Sequence, residues 1–343
     1  MASQYTLIEA LVSNGALLVS TGIGVCAIML VEYWTAPGRR QRAGYGLRPL
    51  ADLIKLASKR SPGATSGGAW AAPLLLASSF TALAVIPFCL VVANEGRPWT
   101  ALAAWGGNTS RGVLYAMVLG FIALQVGLIA GIRVQVGGNR DFGGLRLAAR
   151  QLSCYLAFGI AVLGVVVTTG TTRFSHVIQH QTSTIGYQIP SWNLFIQPLG
   201  FVVCMVTLVQ ILPWRPLTQR DPTRGGRLDS LFSGQHLALM LVAERVHLIA
   251  ASALVVTLYL GGWHLPVLLV DGSGRCTPYI QIASTVVKTA IVVLFFVWVR
   301  ASLPSLVLER SATVGWKYLL PLAFANLVVV ALGDAFFFTA TNP

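Results

Sequence analysis

HLALMLVAERVHLIAASALVVTLYL, residues 236–260, is the stretch that decides what kind of protein this is. It is apolar for longer than the roughly 20 residues a helix needs to cross a bilayer. Glu244, Arg245 and His247 interrupt it. An ionised side chain at the centre of a span costs about 2.5–3.5 kcal/mol on insertion scales, so each such group calls for a partner or a task. Successive helical residues point about 100° apart, so Glu244 and Arg245 need not pair with each other.

Outward from this segment the same pattern recurs. Apolar runs at 9–32, 69–93, 112–134, 147–170, 192–213, 281–299 and 317–340 bring the expected number of transmembrane helices to eight. Of the 343 residues 55% are hydrophobic and only 10% charged, with mean hydropathy +0.71. A soluble domain carries about 25% charged residues, so this composition excludes an ordinary globular enzyme or a disordered chain. The expected fold is all-α and polytopic, a single integral membrane domain over 1–343 with no internal repeat. The first run is too long to read as a cleaved signal.

Net charge is +13, with 24 Lys and Arg against 11 Asp and Glu. With eight spans, the odd-numbered loops hold 18 of the basic residues and the opposite face 4. The positive-inside rule then puts the odd loops in the cytoplasm and both termini outside. Topology accounts for the basic excess without nucleic acid as a partner. In the first loop, GLRPLADLIKLASK (46–59) sets Leu47, Leu50, Leu53, Ile54 and Leu56 against Arg48, Asp52, Lys55 and Lys59. That spacing predicts an amphipathic helix lying at the membrane surface.

Other polar residues are few. Lys288 lies inside the seventh run, with a structural pair to Glu244 or a polar path through the bundle as the two readings. Glu32 and Asp334, near span ends, are expected to reach the interface. His176 and His180 are four apart in an expected outer loop and lack a third ligand for a metal. The five cysteines form no CxxC pair, so neither a disulfide framework nor an iron–sulfur ligand set is expected. There is no P-loop and no nucleophile motif, and Gly106–Gly107 and Gly261–Gly262 read as turns.

A set of strings in fixed order carries a resemblance: GYGLRPLADLIKL (44–56), LRLAARQLSCY (145–155), WNLFIQPLGF (192–201), FSGQHLALMLVAE (232–244), TLYLGGWHLP (257–266), WVRASLP (298–304) and GWKYLLPL (315–322). With Glu32 and Lys288, they make the chain similar to the quinone-chamber membrane subunit of NADH:quinone oxidoreductase (complex I), the bacterial H subunit and its mitochondrial counterpart, subunit 1. It is also similar to the anchor subunits of membrane-bound hydrogenases and formate hydrogenlyases. The resemblance implies no cofactor in this chain, quinone as substrate of the assembly, and FMN and iron–sulfur clusters in partner subunits. It implies Asp52, Lys55 and Arg215 at the quinone entrance and chamber. Gln210, Glu244 and Lys288 would form an intramembrane polar axis, and Glu32, Arg300 and Lys317 interface charges. Lipid and the other membrane-arm and hydrophilic-arm subunits complete the implied partners.

Departures from that pattern bear on mechanism. Where the family has carboxylates after the span-four Tyr and at the end of span five, this chain has Leu156 and Gln210, which cannot titrate. The loop PWRPLTQRDPTRGGRLDS (213–230) carries four arginines where the family has several acids, favouring an acidic partner surface or lipid headgroups. Two readings follow: a complex I-type subunit with altered proton coupling, or a non-catalytic adaptor that kept the fold. An independent transporter ranks behind both for want of a repeat.

Overall fold

The computed structural model describes residues 2–35, 47–59, 70–87, 110–135, 143–182, 184–185, 189–211, 234–264, 278–302 and 314–341. These are almost entirely helical. In chain order they form α1 (Ala2–Thr35), α2 (Arg48–Ser58), α3 (Ala71–Val85), α4 (Gly112–Gln135), α5 (Gly143–Thr169) and α6 (Phe174–His180). A short antiparallel ribbon, Thr184–Ile185 with Ile189–Pro190, leads to α7 (Asn193–Ile196). Then come α8 (Pro198–Ile211), α9 (Gly234–Tyr259), α10 (Pro278–Ser302) and α11 (Leu320–Thr341).

The organising element is α9. Every residue from Ala250 to Tyr259 is buried, which is how a helix apolar on all sides is accommodated. α3 packs along one side of α9 and is backed by α4, while α1 and α10 flank another side. α5 packs on α4, α8 and α11. One continuous core runs from Val25 of α1 through Phe158 and Val203 to Val255 and Phe296. Large apolar side chains remain exposed on α10 (Val286, Val287, Ile291) and α11 (Val328, Val329), a surface suited to lipid or an apolar partner.

All eight expected runs carry helix. Among the described residues five helices are long and apolar enough to cross a membrane, within α1, α5, α9, α10 and the Gly315–Ala335 stretch. Ala71–Val85, Gly112–Ala123 and Pro198–Ile211 are shorter apolar helices, and the expected end of the second run, 88–93, lies outside the described residues.

Three local departures have chemical causes. The fifth run is interrupted at Gln197 (φ −135°, ψ 69°), because a residue preceding proline is pushed out of the helical region by Pro198. The eighth run opens with a π-helical turn over Gly315–Leu319, closed by the Leu320 N–H on the Gly315 carbonyl. Pro321 follows at once and has no N–H with which to continue a regular ladder. Finally, 174–180 is a helix rather than a polar loop, because Phe174, Val177 and Ile178 are buried along one face.

The expected surface segment is α2, with Leu47 and Ile54 exposed and Leu56 packed toward Leu237 and Met240 of α9. Its end meets the start of α9 backbone to backbone. A Cβ at Gly234 would lie 2.6 Å from the Leu56 carbonyl oxygen and 2.8 Å from that of Lys59. Gly234→Ala is therefore expected to cost about 1–3 kcal/mol through overpacking, although alanine favours helix. Thermal unfolding should show a lower midpoint and limited proteolysis faster cleavage near α2; an unchanged midpoint would contradict this contact.

Candidate functional site

Four ionised side chains from three helices meet where α1, α9 and α10 converge. Arg245 of α9 donates through Nη2 to Glu32 Oε2 of α1 at 2.8 Å and through Nη1 to Glu244 Oε2 at 2.9 Å. Arg300 of α10 donates through Nη1 to Glu32 Oε1 at 3.1 Å. Arg245 is only 7% exposed and Glu244 11%, so two carboxylates and two guanidiniums form a nearly neutral, largely dehydrated seam. Adjacent on the helix, Glu244 and Arg245 nevertheless pair, because both long side chains bend into this seam. Glu32 lies between two arginines rather than reaching for the interface. Arg245 Nε is buried without a partner.

Lys288 belongs to the other end of α9. Its ammonium donates to the carbonyls of Leu260 (2.8 Å), Gly262 (3.1 Å) and His264 (2.6 Å), and it lies 4.7 Å from the Trp192 ring centroid. A cation over the open carbonyls of a helix C-terminus is electrostatically favourable. Leu260 is roughly 24 Å beyond Glu244 at 1.5 Å per residue, so Glu244 and Lys288 do not pair. The turn at Gly261 (φ +69°) has no room for a side chain, since a Cβ would be 2.6 Å from Trp192 Nε1. Buried Gln181 ties this end together. Its Oε1 accepts from the N–H groups of Asn193 and Gly261, and its Nε2 donates to the Leu258 carbonyl.

Between the two ends, α3, α4, α5, α8 and α9 line a half-open cavity with about 30 Å³ of space for water. Its wall is apolar except for Tyr155 of α5 and His247 of α9. Tyr155 donates its hydroxyl proton to the Met117 carbonyl. Among the described residues, no group of three or more His, Cys, Asp or Glu could hold a metal ion.

The profile of the NADH dehydrogenase family matches residues 18–331. The chain belongs to that family. It is 28% identical to NADH-quinone oxidoreductase subunit 8 of Rhodothermus marinus, over 97% of this chain and 96% of the relative. It is likewise 28% identical to the NADH-quinone oxidoreductase H subunit of Salinibacter ruber, over 97% of both chains. Identity to the H subunit of Syntrophotalea carbinolica is 29%, over 95% of this chain and 96% of the relative.

Within this NADH dehydrogenase family member, the structure brings Glu32, Glu244 and Arg300 together and leaves Lys288 apart. Gln210 of α8 accepts a hydrogen bond from the Cys154 thiol at 3.2 Å. Asp52 and Lys55 are exposed on α2, and Lys317 is exposed on the π-helical turn, 5.7 Å from the Tyr318 ring centroid. Arg215 lies outside the described residues. Leu156 is 43% exposed on the surface of α5. Arg245 was visible in the sequence but assigned to no site, and that Tyr155 and His247 line one cavity was not foreseen. The available signal for His247 was its three-residue step from Glu244, which puts both on one helical face; nothing local points to Tyr155.

Arg245→Leu would strand Glu244 and leave Glu32 with Arg300 alone, a loss of about 3–5 kcal/mol typical of breaking a buried pair. Adding Glu244→Leu should recover part of the loss. Additive losses in a double-mutant unfolding cycle would contradict the coupling. At the other end, burial, reinforced by the Lys288 ammonium, lowers the pKa of His264 below its usual value. The folded chain then binds fewer protons there than the unfolded chain, so its stability falls as pH drops through the ordinary histidine range near ~6.5. Between about pH 7.5 and 5.5, His264→Asn should flatten this part of the unfolding profile; parallel profiles would argue against it.

Proposed function

We propose that the chain is the H-type membrane-arm component of a complex I-type NADH:quinone oxidoreductase. It crosses the membrane eight times as one domain, with both termini outside and the arginine-rich odd loops facing a hydrophilic arm in the cytoplasm. In this reading it helps form the quinone chamber and docks the arm, while partner subunits carry FMN and iron–sulfur clusters. Family membership supports the assembly. The observation that carries the chain's role is the seam itself. Glu32 and Arg300, 268 positions apart, meet with Glu244 on α9, the helix against which α2 seats.

On this reading Asp52 and Lys55 present a charged rim on α2, and Arg215, in the loop between the fifth and sixth spans, is a base of the chamber loop. Glu244 is the ionisable end of the polar axis and Gln210 a non-titrating member. Lys288 anchors the axis at its far end, its ammonium being held by three carbonyls. Arg300 and Lys317 serve the interface with neighbouring subunits. A tagged chain, extracted mildly, should bring down the other complex I-type subunits with NADH:quinone activity. Isolation alone would overturn the proposal.

Gln210 and Leu156 favour a second, narrower reading, in which the fold is retained as an adaptor with little proton coupling. Neither side chain can gain or lose a proton near neutral pH, and Gln210 is engaged by Cys154. Replacing both by glutamate is expected to raise the protons moved per NADH oxidised in proteoliposomes. Full pumping by the wild-type assembly would rule the adaptor reading out.

A further inference from the structure

His247 lies in the middle of the bundle, nine-tenths buried, with no hydrogen-bond partner for Nδ1. In hydrocarbon such an atom is costly, because lipid supplies no hydrogen-bond donor. The imidazole borders the cavity, whose space for water is about 30 Å³, enough for one or two molecules at roughly 10–15 Å³ each on that measure. A held water needs at least two polar partners. The second is Tyr155, whose proton is committed to the Met117 carbonyl and whose oxygen is still able to accept. Gly120 marks where the two come near each other, since a Cβ there would be in ordinary contact with both Tyr155 Oη (3.4 Å) and His247 Cε1 (3.7 Å).

On α9 the cavity wall is His247, Ala250, Ala251 and Leu254, one helical stripe. Glu244 continues that stripe one turn toward the charge seam. From the other helices the cavity is faced by Ala82 and Ile86, Ala116, and Leu208 and Ile211, none of which titrates. Among the described residues, the ionisable groups near His247 are therefore Tyr155 across the cavity and Glu244 and Arg245 along the helix.

We infer that this cavity is a hydrated proton-carrying site in which His247 exchanges protons between held water and Glu244. It would serve where this chain has the non-titrating Leu156 and Gln210. Uptake at Nδ1 turns the neutral ring into imidazolium. Release to the Glu244 carboxylate or back to water restores it, and only N–H and O–H bonds form or break. The inference rests on the complex I-type reading above.

The test uses the whole assembly in proteoliposomes. His247→Asn keeps a hydrogen-bonding side chain that cannot ionise, and it should lower proton-coupled NADH:quinone turnover roughly tenfold or more. His247→Glu should restore a substantial part, whereas Ala251→Leu, which fills the cavity and leaves the His247 imidazole in place, should reproduce the loss. His247→Asn with wild-type turnover and protons per NADH would overturn the proposal, as would equal losses in the asparagine and glutamate variants. Hydration is read separately, in native membranes, from labelling of Ala251→Cys by a water-soluble methanethiosulfonate above the background of the parent chain. No added labelling overturns the site even if a His247 variant fails to assemble. Labelling at Ala251→Cys in a chain that copurifies with no partner would instead fault the assembly reading and leave the wet cavity standing.

Discussion

Arg245 is the constraint around which the bundle is arranged. A guanidinium stays protonated at any working pH, so it cannot escape burial by becoming neutral. It has to be met by anions, and Glu244 alone would leave half of its donors bare. Glu32 comes from α1, and because two carboxylates then face one guanidinium, Arg300 from α10 supplies the balancing charge. One buried charge thus fixes the mutual register of three helices that apolar side chains alone could slide past one another. Where the surroundings are as oily as the interior, apolar packing has little power to choose between registers. A matched set of charges chooses sharply.

The far end of α9 meets the same demand by other means. There the polar groups are the open carbonyls left by the last helical turn, and their satisfiers are one lysine, one glutamine and one asparagine. Lys288 reaches across from α10 and Gln181 from just past α6, so the end of α9 is sealed by its neighbours rather than by water. The central helix is held at both ends by electrostatics and along its length by close packing of small residues, with Ala250, Ala251 and Ala253 all buried.

The helical class and the position of each apolar run were legible because hydropathy and length suffice for them. The interruption at Gln197 was also encoded, in the proline that follows, but a window of mean hydropathy smooths over a single residue. The π-helical turn before Pro321 escaped for the same reason. In the site, the residue types that matter were visible as isolated charges in apolar runs. Their pairing was not. Glu32 and Arg300 are 268 positions apart, and no local spacing says that they meet. Opposite charges inside two successive apolar runs suggested an interhelical pair of Glu244 with Lys288, whereas helix length separates them, and the nearer carbonyls took the lysine. His247 looked like a lone polar residue until Tyr155, from another helix, stood across the same void.

The seating of α2 on Gly234 has a mechanical meaning. Side-chain contacts yield, since rotamers can turn to absorb a displacement. Peptide groups in direct touch have no such compliance. A tilt or slide of α9 would therefore be passed to the short helix with little give. The outward-facing charges Asp52 and Lys55 lie on that helix, so their spacing from whatever lies opposite is tied to the posture of α9, the most buried helix among the described residues.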